Sequence, residues 1–481
     1  MAAFTLRRKK IIIMNGPSRT FALVGMVAGI LLLLHQLPSL SVAGIDLRDI
    51  NILSDIMPPR VEQDLNLIPR PKDPLSAMVP KNDVNGTPLK YVAPKGVTLI
   101  EDYSDTETDG MNNFYKKLKN VQALNRPVRI AYYGDSFIEG DILTCDLREL
   151  LQRRFGGSGV GWIDCSSLVA GLRPSVVLQS AGFQIFEAVT KPFDTHLQGI
   201  NQRYFIAGEG AQMIVKGTKY KPQLYSWRRS SLFFRTQGGV TISTFVNGKA
   251  TTAHSFSGGP SLQMAETKAA THSIAYTLTG VGHGTLFYGA ALESEKGIVL
   301  DNLSMRGATG TTIAAIPQAT LKEFARLRPY DLIVVQFGLN VANSKDPAAY
   351  YRQYVKRMKH SIAALRQAFP ESVLLVVSVP DRDQKTVAGI TTMKGIEELC
   401  AFQRLMASDM KVAFYDFFTA MGGKGSMQRL VNRRMANKDY THLSFGGGRL
   451  LARKFFASLM AGYDYYLKKE DVNNLSETKN E

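Results

Sequence analysis

Short runs of β-branched and apolar residues recur between positions 128 and 415, and stretches with helical spacing fill most of the gaps between them. Residues 128–133, Val-Arg-Ile-Ala-Tyr-Tyr, predict a strand. Beyond it, within 141–155, Leu143, Leu147, Leu150 and Leu151 fall at i, i+4, i+7 and i+8, the apolar face of a helix. Further strand-like runs lie at 297–300, 331–337, 373–379 and 412–415, and an amphipathic stretch runs from the three glycines at 446–448 to about residue 467. Strands alternating with helices predict an α/β unit with a mostly parallel sheet covered on both faces. Its functional groups are then expected beyond the carboxyl ends of the strands.

From 174 to 296 the alternation stops and strand signals dominate: 232–234, 240–242, an Asn247-Gly248 hairpin turn, 274–278 and 285–288. This predicts an all-β domain inserted into the α/β unit, whose two parts are then 96–173 and 297–470. Tyr220, Tyr225, Trp227, Phe233 and Phe234 of the insert read either as a sugar-stacking platform or as core, and strand spacing favours core. Residues 471–481 read as a polar tail, and 44–95, broken by Pro58, Pro59, Pro69 and Pro71, as an extended linker.

The amino terminus changes the picture. Arg7, Arg8, Lys9 and Lys10 precede the uncharged apolar stretch 21–34, and Ser41-Val42-Ala43 supplies small residues for a peptidase. This order predicts that 1–43 is a signal peptide or, if uncleaved, an inner-membrane anchor helix, placing the rest of the chain in the periplasm. A formal charge of +17 over 481 residues favours a polyanionic neighbour: nucleic acid, an anionic membrane or an acidic wall polymer. Charge alone does not choose among them. Cys145, Cys165 and Cys400 lack the paired spacing of a metal knuckle or a disulfide framework; one bridge is open to them, but they read better as buried apolar residues.

Candidate chemistry sits at the two ends of the α/β unit. Gly134-Asp135-Ser136 follows the first strand directly, where a serine hydroxyl is presented to an incoming carbonyl. A hydroxyl needs a base, and the base needs a carboxylate to hold its tautomer. Asp439-Tyr440-Thr441-His442 offers both on one short loop, and among the seven histidines only His442 has such a neighbour. Each block alone reads equally well as a turn or a helix cap, so their order along the chain carries the weight.

A Gly-Asp-Ser block near the start and an Asp-x-x-His block near the end resemble the SGNH/GDSL hydrolases. Between them, Asp301-Asn302-Leu303-Ser304-Met305-Arg306-Gly307 looks like the family's second block and Gly338-Leu339-Asn340 like its third, although Val341 stands where Asp is usual. The resemblance implies a flavodoxin-like three-layer α/β/α fold and a Ser136–His442–Asp439 triad. It also implies an oxyanion hole of the Ser136 and Gly307 N–H groups with the Asn340 amide, and no metal or cofactor. The Gly156–Trp162 glycine-rich run, the passage after the insert and Pro329-Tyr330-Asp331 look closest to periplasmic peptidoglycan O-acetylesterases with an inserted carbohydrate-binding-like domain. That resemblance implies an acetylated glycan as substrate and no nucleic-acid partner. Acetyl transfer to a polysaccharide beside a membrane acyltransferase and a non-catalytic wall-binding role are the alternatives.

Overall fold

Strand β2 (Val128–Gly134) has every residue buried, which explains why its sequence is apolar on both faces rather than alternating. In the computed structural model it lies inside a six-stranded sheet. The others are β1 (Ile100–Asp102), β3 (Ile298–Ser304), β4 (Leu332–Gln336), β5 (Val373–Val377) and β6 (Ala413–Tyr415), in the order β3-β2-β4-β5-β6-β1. Five strands run parallel; β1 joins the edge antiparallel to β6, a pairing its three residues do not announce. Without β1, the order is that of a doubly wound sheet whose winding reverses between β2 and β4, which opens a crevice at their carboxyl ends.

Two helix layers cover the sheet. Helices α1 (Gly110–Lys119), α2 (Thr144–Phe155) and α6 (Phe445–Glu477) pack together; α3 (Gln318–Leu327), α4 (Pro347–Ala368) and α5 (Ile396–Asp409) form the other group. Leu143, Leu147 and Leu151 are fully buried, as the helical spacing requires. Phe455 of α6 stacks on Tyr415 at 4.7 Å and meets Tyr132 edge-on at 6.2 Å, so the last helix is clamped to strands β6 and β2. Deleting such a buried ring typically costs about 3–5 kcal/mol. Helix α6 runs on to Glu477, so the expected polar tail is helical over its first residues.

The segment between β2 and β3 builds a nine-stranded antiparallel sheet. Its members span Val176–Glu187 to Leu286–Glu293, and Gly161–Ile163 also pairs with Leu286–Glu293. The sequence boundary at 174 therefore cuts off one strand, because three residues carry too short a pattern to assign. Neighbouring side chains of Trp227–Thr236 face opposite ways. Leu232 and Phe234 belong to the sheet's own core, whereas Phe233, with Trp162 and Tyr288, packs on Phe324 of α3 in the α/β core. Trp227, Phe233 and Phe234 are thus core residues, while Tyr220 and Tyr225 are only partly buried and Tyr225 stacks on His272.

A buried ion cluster joins the two sheets. Arg328 gives its Nε and Nη2 to Asp301 at 2.6 and 2.8 Å and its Nη1 to Glu293 at 2.9 Å, and Arg129 binds Glu293 at 2.7 and 3.0 Å. Tyr330 Oη and the Trp162 N–H donate to Asp301 as well. Burial works against each charge, yet the arginines outweigh it and bring Glu293 down to about 2, and Asp301 and Glu293 hold the Arg328 proton well above its ordinary value.

The described residues are 20, 22–27, 41–42, 45–46, 81–82, 88–89, 91–105, 110–342, 347–387 and 389–477. Most of the expected signal or anchor segment and of the linker lies outside them. Among the described residues no helix is long and apolar enough to cross a membrane. Cys145, Cys165 and Cys400 are buried free thiols.

Candidate active site

The turn after β2 is set by Asp135. Its carboxylate is buried, and its Oδ1 accepts the Phe137 N–H at 2.9 Å, which bends the chain so that Ser136 faces outward. Behind this turn Asp141, at φ +67°, is gripped by Arg148 at 2.8 and 3.0 Å, by Arg173 at 3.2 Å and by Ser175 at 2.6 Å. Burial favours the neutral acid, but the two guanidinium groups overcome it and hold Asp141 far below the usual carboxylate range. The Ser136 turn therefore rests on a rigid ionic base.

The second loop arrives from the far end of the chain. Asp439 Oδ1 accepts the N–H groups of Thr441 at 2.9 Å and His442 at 3.0 Å, folding the loop over its own side chain. Tyr440 takes φ +55° at the apex. Oδ2 remains for the imidazole, which it meets through Nδ1 at 2.7 Å. Partial burial alone would raise the Asp439 pKa, but the bonds from His442 and Thr441 bring it below its ordinary value. An acceptor carboxylate at Nδ1 requires a proton there, so Nε2 carries the lone pair. That nitrogen lies 3.0 Å from Ser136 Oγ, across 306 positions of sequence. Helix α6 starts directly after this loop. A Cβ on Gly448 would stand 2.0 Å from the Ile142 carbonyl oxygen, so only glycine lets the helix lie against the segment that follows the Ser136 turn.

Ser136, Gly307, Asn340, Asp439 and His442, the five residues singled out in the sequence, line one open cavity of about 900 Å³. The Ser136 and Gly307 N–H groups have no hydrogen-bond partner among the described residues. Gly307 has φ +75°, a conformation other residues adopt only with strain. Asn340 differs from the expected free donor. Its Nδ2 donates to the Ala308 carbonyl at 2.9 Å and to Asp135 Oδ2 at 3.2 Å, which occupies both amide hydrogens. A third donor to an oxyanion comes from Asn340 only by giving up or sharing the longer bond to Asp135. The sequence does not show this, because Asp135 stands 205 positions earlier.

Sequence reasoning also passed over Arg306 and Arg382, which line the same cavity. Arg306 lies within the 301–307 block; nothing near Arg382 in sequence marks it. The described histidines other than His442 are exposed and far from this chemistry in the chain. Among the described residues no cluster of three or more His, Cys, Asp or Glu is placed to hold a metal ion.

Residues 272–447 match the GDSL-like lipase/acylhydrolase family. The matched stretch includes Gly307, Asn340, Asp439 and His442; Ser136 precedes it, separated by most of the nine-stranded sheet. A solved peptidoglycan O-acetylesterase superposes with a TM-score of 0.62 at 23% identity, over 76% of this chain and 99% of that one. The fold is therefore that of an SGNH hydrolase with an additional β domain. A family two carbohydrate esterase from Clostridium thermocellum aligns over 60% of this chain and 98% of its own, at 12% identity and a TM-score of 0.25. One from Cellvibrio japonicus aligns over 60% and 99%, at 8% identity and a TM-score of 0.22. No curated protein matches the chain in sequence.

Proposed function

We propose that this chain is a serine esterase that removes O-acetyl groups from a cell-wall glycan, with peptidoglycan as the favoured substrate, after export to the periplasm. The observation that carries the reading is the relay Ser136 Oγ, His442 Nε2, His442 Nδ1, Asp439 Oδ2, with its 3.0 and 2.7 Å steps, opening on a cavity with two unengaged backbone donors. The family match supports ester chemistry, the likeness to a peptidoglycan O-acetylesterase fold supports the glycan, and the basic, then apolar amino terminus supports export.

In this reading His442 Nε2 takes the Ser136 proton as Oγ attacks the acetyl carbonyl carbon. The resulting oxyanion is held by the Ser136 and Gly307 N–H groups, with Asn340 joining as its bond to Asp135 yields. The imidazolium, stabilised by Asp439, returns the proton to the sugar oxygen as the C–O bond breaks. Water then enters, loses a proton to His442 and attacks the acetyl-enzyme, and acetate leaves with Ser136 restored. The cavity's size keeps a second acceptor in view: a sugar hydroxyl in place of water makes the same intermediate a transferase.

Acetate release from O-acetylated peptidoglycan, compared between the wild type and Ser136→Ala, tests the reading. Release by the first and not the second supports it. Incorporation of acetyl from a donor ester without free acetate would favour transfer, and no labelling of Ser136 by a fluorophosphonate would leave only wall binding.

A further inference from the structure

We infer that Arg382 is a specificity-determining residue that receives a carboxylate of the substrate beside the scissile ester, so that the enzyme prefers acidic acetylated sugars. This rests on the esterase reading above.

Arg382 follows β5 on the carboxyl edge of the sheet, the same edge from which Ser136 and Asn340 project. Two bonds fix its place. Its Nη1 donates to the Leu339 carbonyl at 3.0 Å, which sets the guanidinium one peptide away from Asn340. The next residue's N–H, that of Asp383, donates to the Tyr440 carbonyl at 3.1 Å, which sets the backbone against the loop of Asp439 and His442. The side chain thus lies between the oxyanion side and the general-base side of the cavity that both line.

The other charged groups of that cavity are already occupied. Arg306 is held by Glu139 through Nε at 2.9 Å and Nη2 at 2.7 Å, and the two oxygens of Asp439 are taken by its own loop and by His442. Arg382 has no carboxylate partner among the described residues. Its Nε–H and Nη2–H groups, which form one edge of the guanidinium, are unengaged among the described residues. Two parallel donors on a planar cation match the two oxygens of a carboxylate. Bracing the Leu339 carbonyl needs one neutral donor; it does not need the charge or the second edge. The carboxylate has two sources in a wall glycan, an acid carried on the sugar itself or one at the end of an attached peptide, and the shared chemistry is what the guanidinium reads.

The test compares four soluble probes: a 6-O-acetylated muramic acid with its free carboxylate, the methylamide of the same compound, and the acid extended by a short peptide that ends either in a carboxylate or in an amide. Wild type, Arg382→Gln and Arg382→Lys are assayed for acetate release, and fluorophosphonate labelling of Ser136 is measured on each protein. Each ratio is taken within one protein, so partial loss of folded material cancels. A charge-assisted pair predicts that the wild type prefers a carboxylate over its amide by about tenfold or more, mainly in KM. Arg382→Gln abolishes that preference, and Arg382→Lys keeps part of it. Preference on the unextended pair assigns the sugar acid; preference on the peptide pair assigns the peptide terminus. An undiminished preference in Arg382→Gln, or none in the wild type, overturns the inference while Ser136 labelling leaves the esterase reading standing. Failure of Ser136 to label overturns both.

Discussion

The two ends of the central sheet are built for opposite purposes. Strand β2 has Arg129 in the buried ion cluster near its start and Ser136 just past its end; β3 buries Asp301 midway and leads to the exposed Gly307; β4 follows the buried Asp331 and leads to Asn340. Side-chain exposure makes the contrast sharp: 0% for Asp301 and 2% for Arg328, against 48% for Asp439 and 38% for His442. The charges at one end are satisfied by one another and shut away from water, where they brace the inserted β sheet against the α/β core. At the other end, donors and acceptors are aligned but left open. If the open end is the active site proposed above, stability and reactivity are separated along the same strands, and substitutions at the two ends should have different signatures.

The largest effect is expected at the reactive end. Ser136→Ala should lower acetate release by about 10⁶-fold while leaving the thermal unfolding midpoint unchanged, since removal of a triad nucleophile has a cost of that order. Asp439→Asn comes next. It replaces the acceptor that fixes the imidazole tautomer, so kcat should fall by about 10⁴-fold with little change in KM, read from initial rates on one ester. At the other end, Arg328→Met leaves Asp301 and Glu293 buried without their main partner and should cost about 3–5 kcal/mol in denaturant unfolding. Ester turnover per folded molecule should survive that change; a drop as deep as that of Asp439→Asn would break the separation.

The smallest effect tests a buried acid next to Ser136. Burial pushes the Asp135 carboxyl up from 3.8 to about 6, although the Phe137 N–H and His442 pull the other way. Between about pH 4 and pH 6 the unfolded chain releases a proton that the folded chain retains, so folded stability falls as pH rises, by up to about 3 kcal/mol over the window. Asp135→Asn does not titrate there. The urea midpoint of the wild type, measured relative to that of this variant, should therefore decline across the window, and a flat difference would show that Asp135 is not held in a dry setting.

Much of this was legible in the sequence because it is local. Strand β2, helix α2, the turn at Ser136 and the Asp439–His442 pair each lie within a few consecutive residues, where hydrophobic spacing and turn chemistry act directly. What escaped depends on meetings between distant segments. Arg129 and Glu293 are 164 positions apart, and no spacing rule pairs them. The strand Gly161–Ile163 has meaning only beside Leu286–Glu293. Asn340 was read as a free donor because its neighbour Asp135 stands 205 positions earlier. Arg382 differs from other surface arginines chiefly in what surrounds it.

The separation of Ser136 from His442 by 306 positions also has a consequence in time. At about 5–20 residues per second, a ribosome finishes the nucleophile's turn roughly 15–60 s before it reaches the base. During that interval the serine is an ordinary alcohol. On the proposed function, a nascent chain that has not yet reached residues 439–442 lacks both the base and its carboxylate, and is expected to be inert toward esters until that loop has been made and folded back.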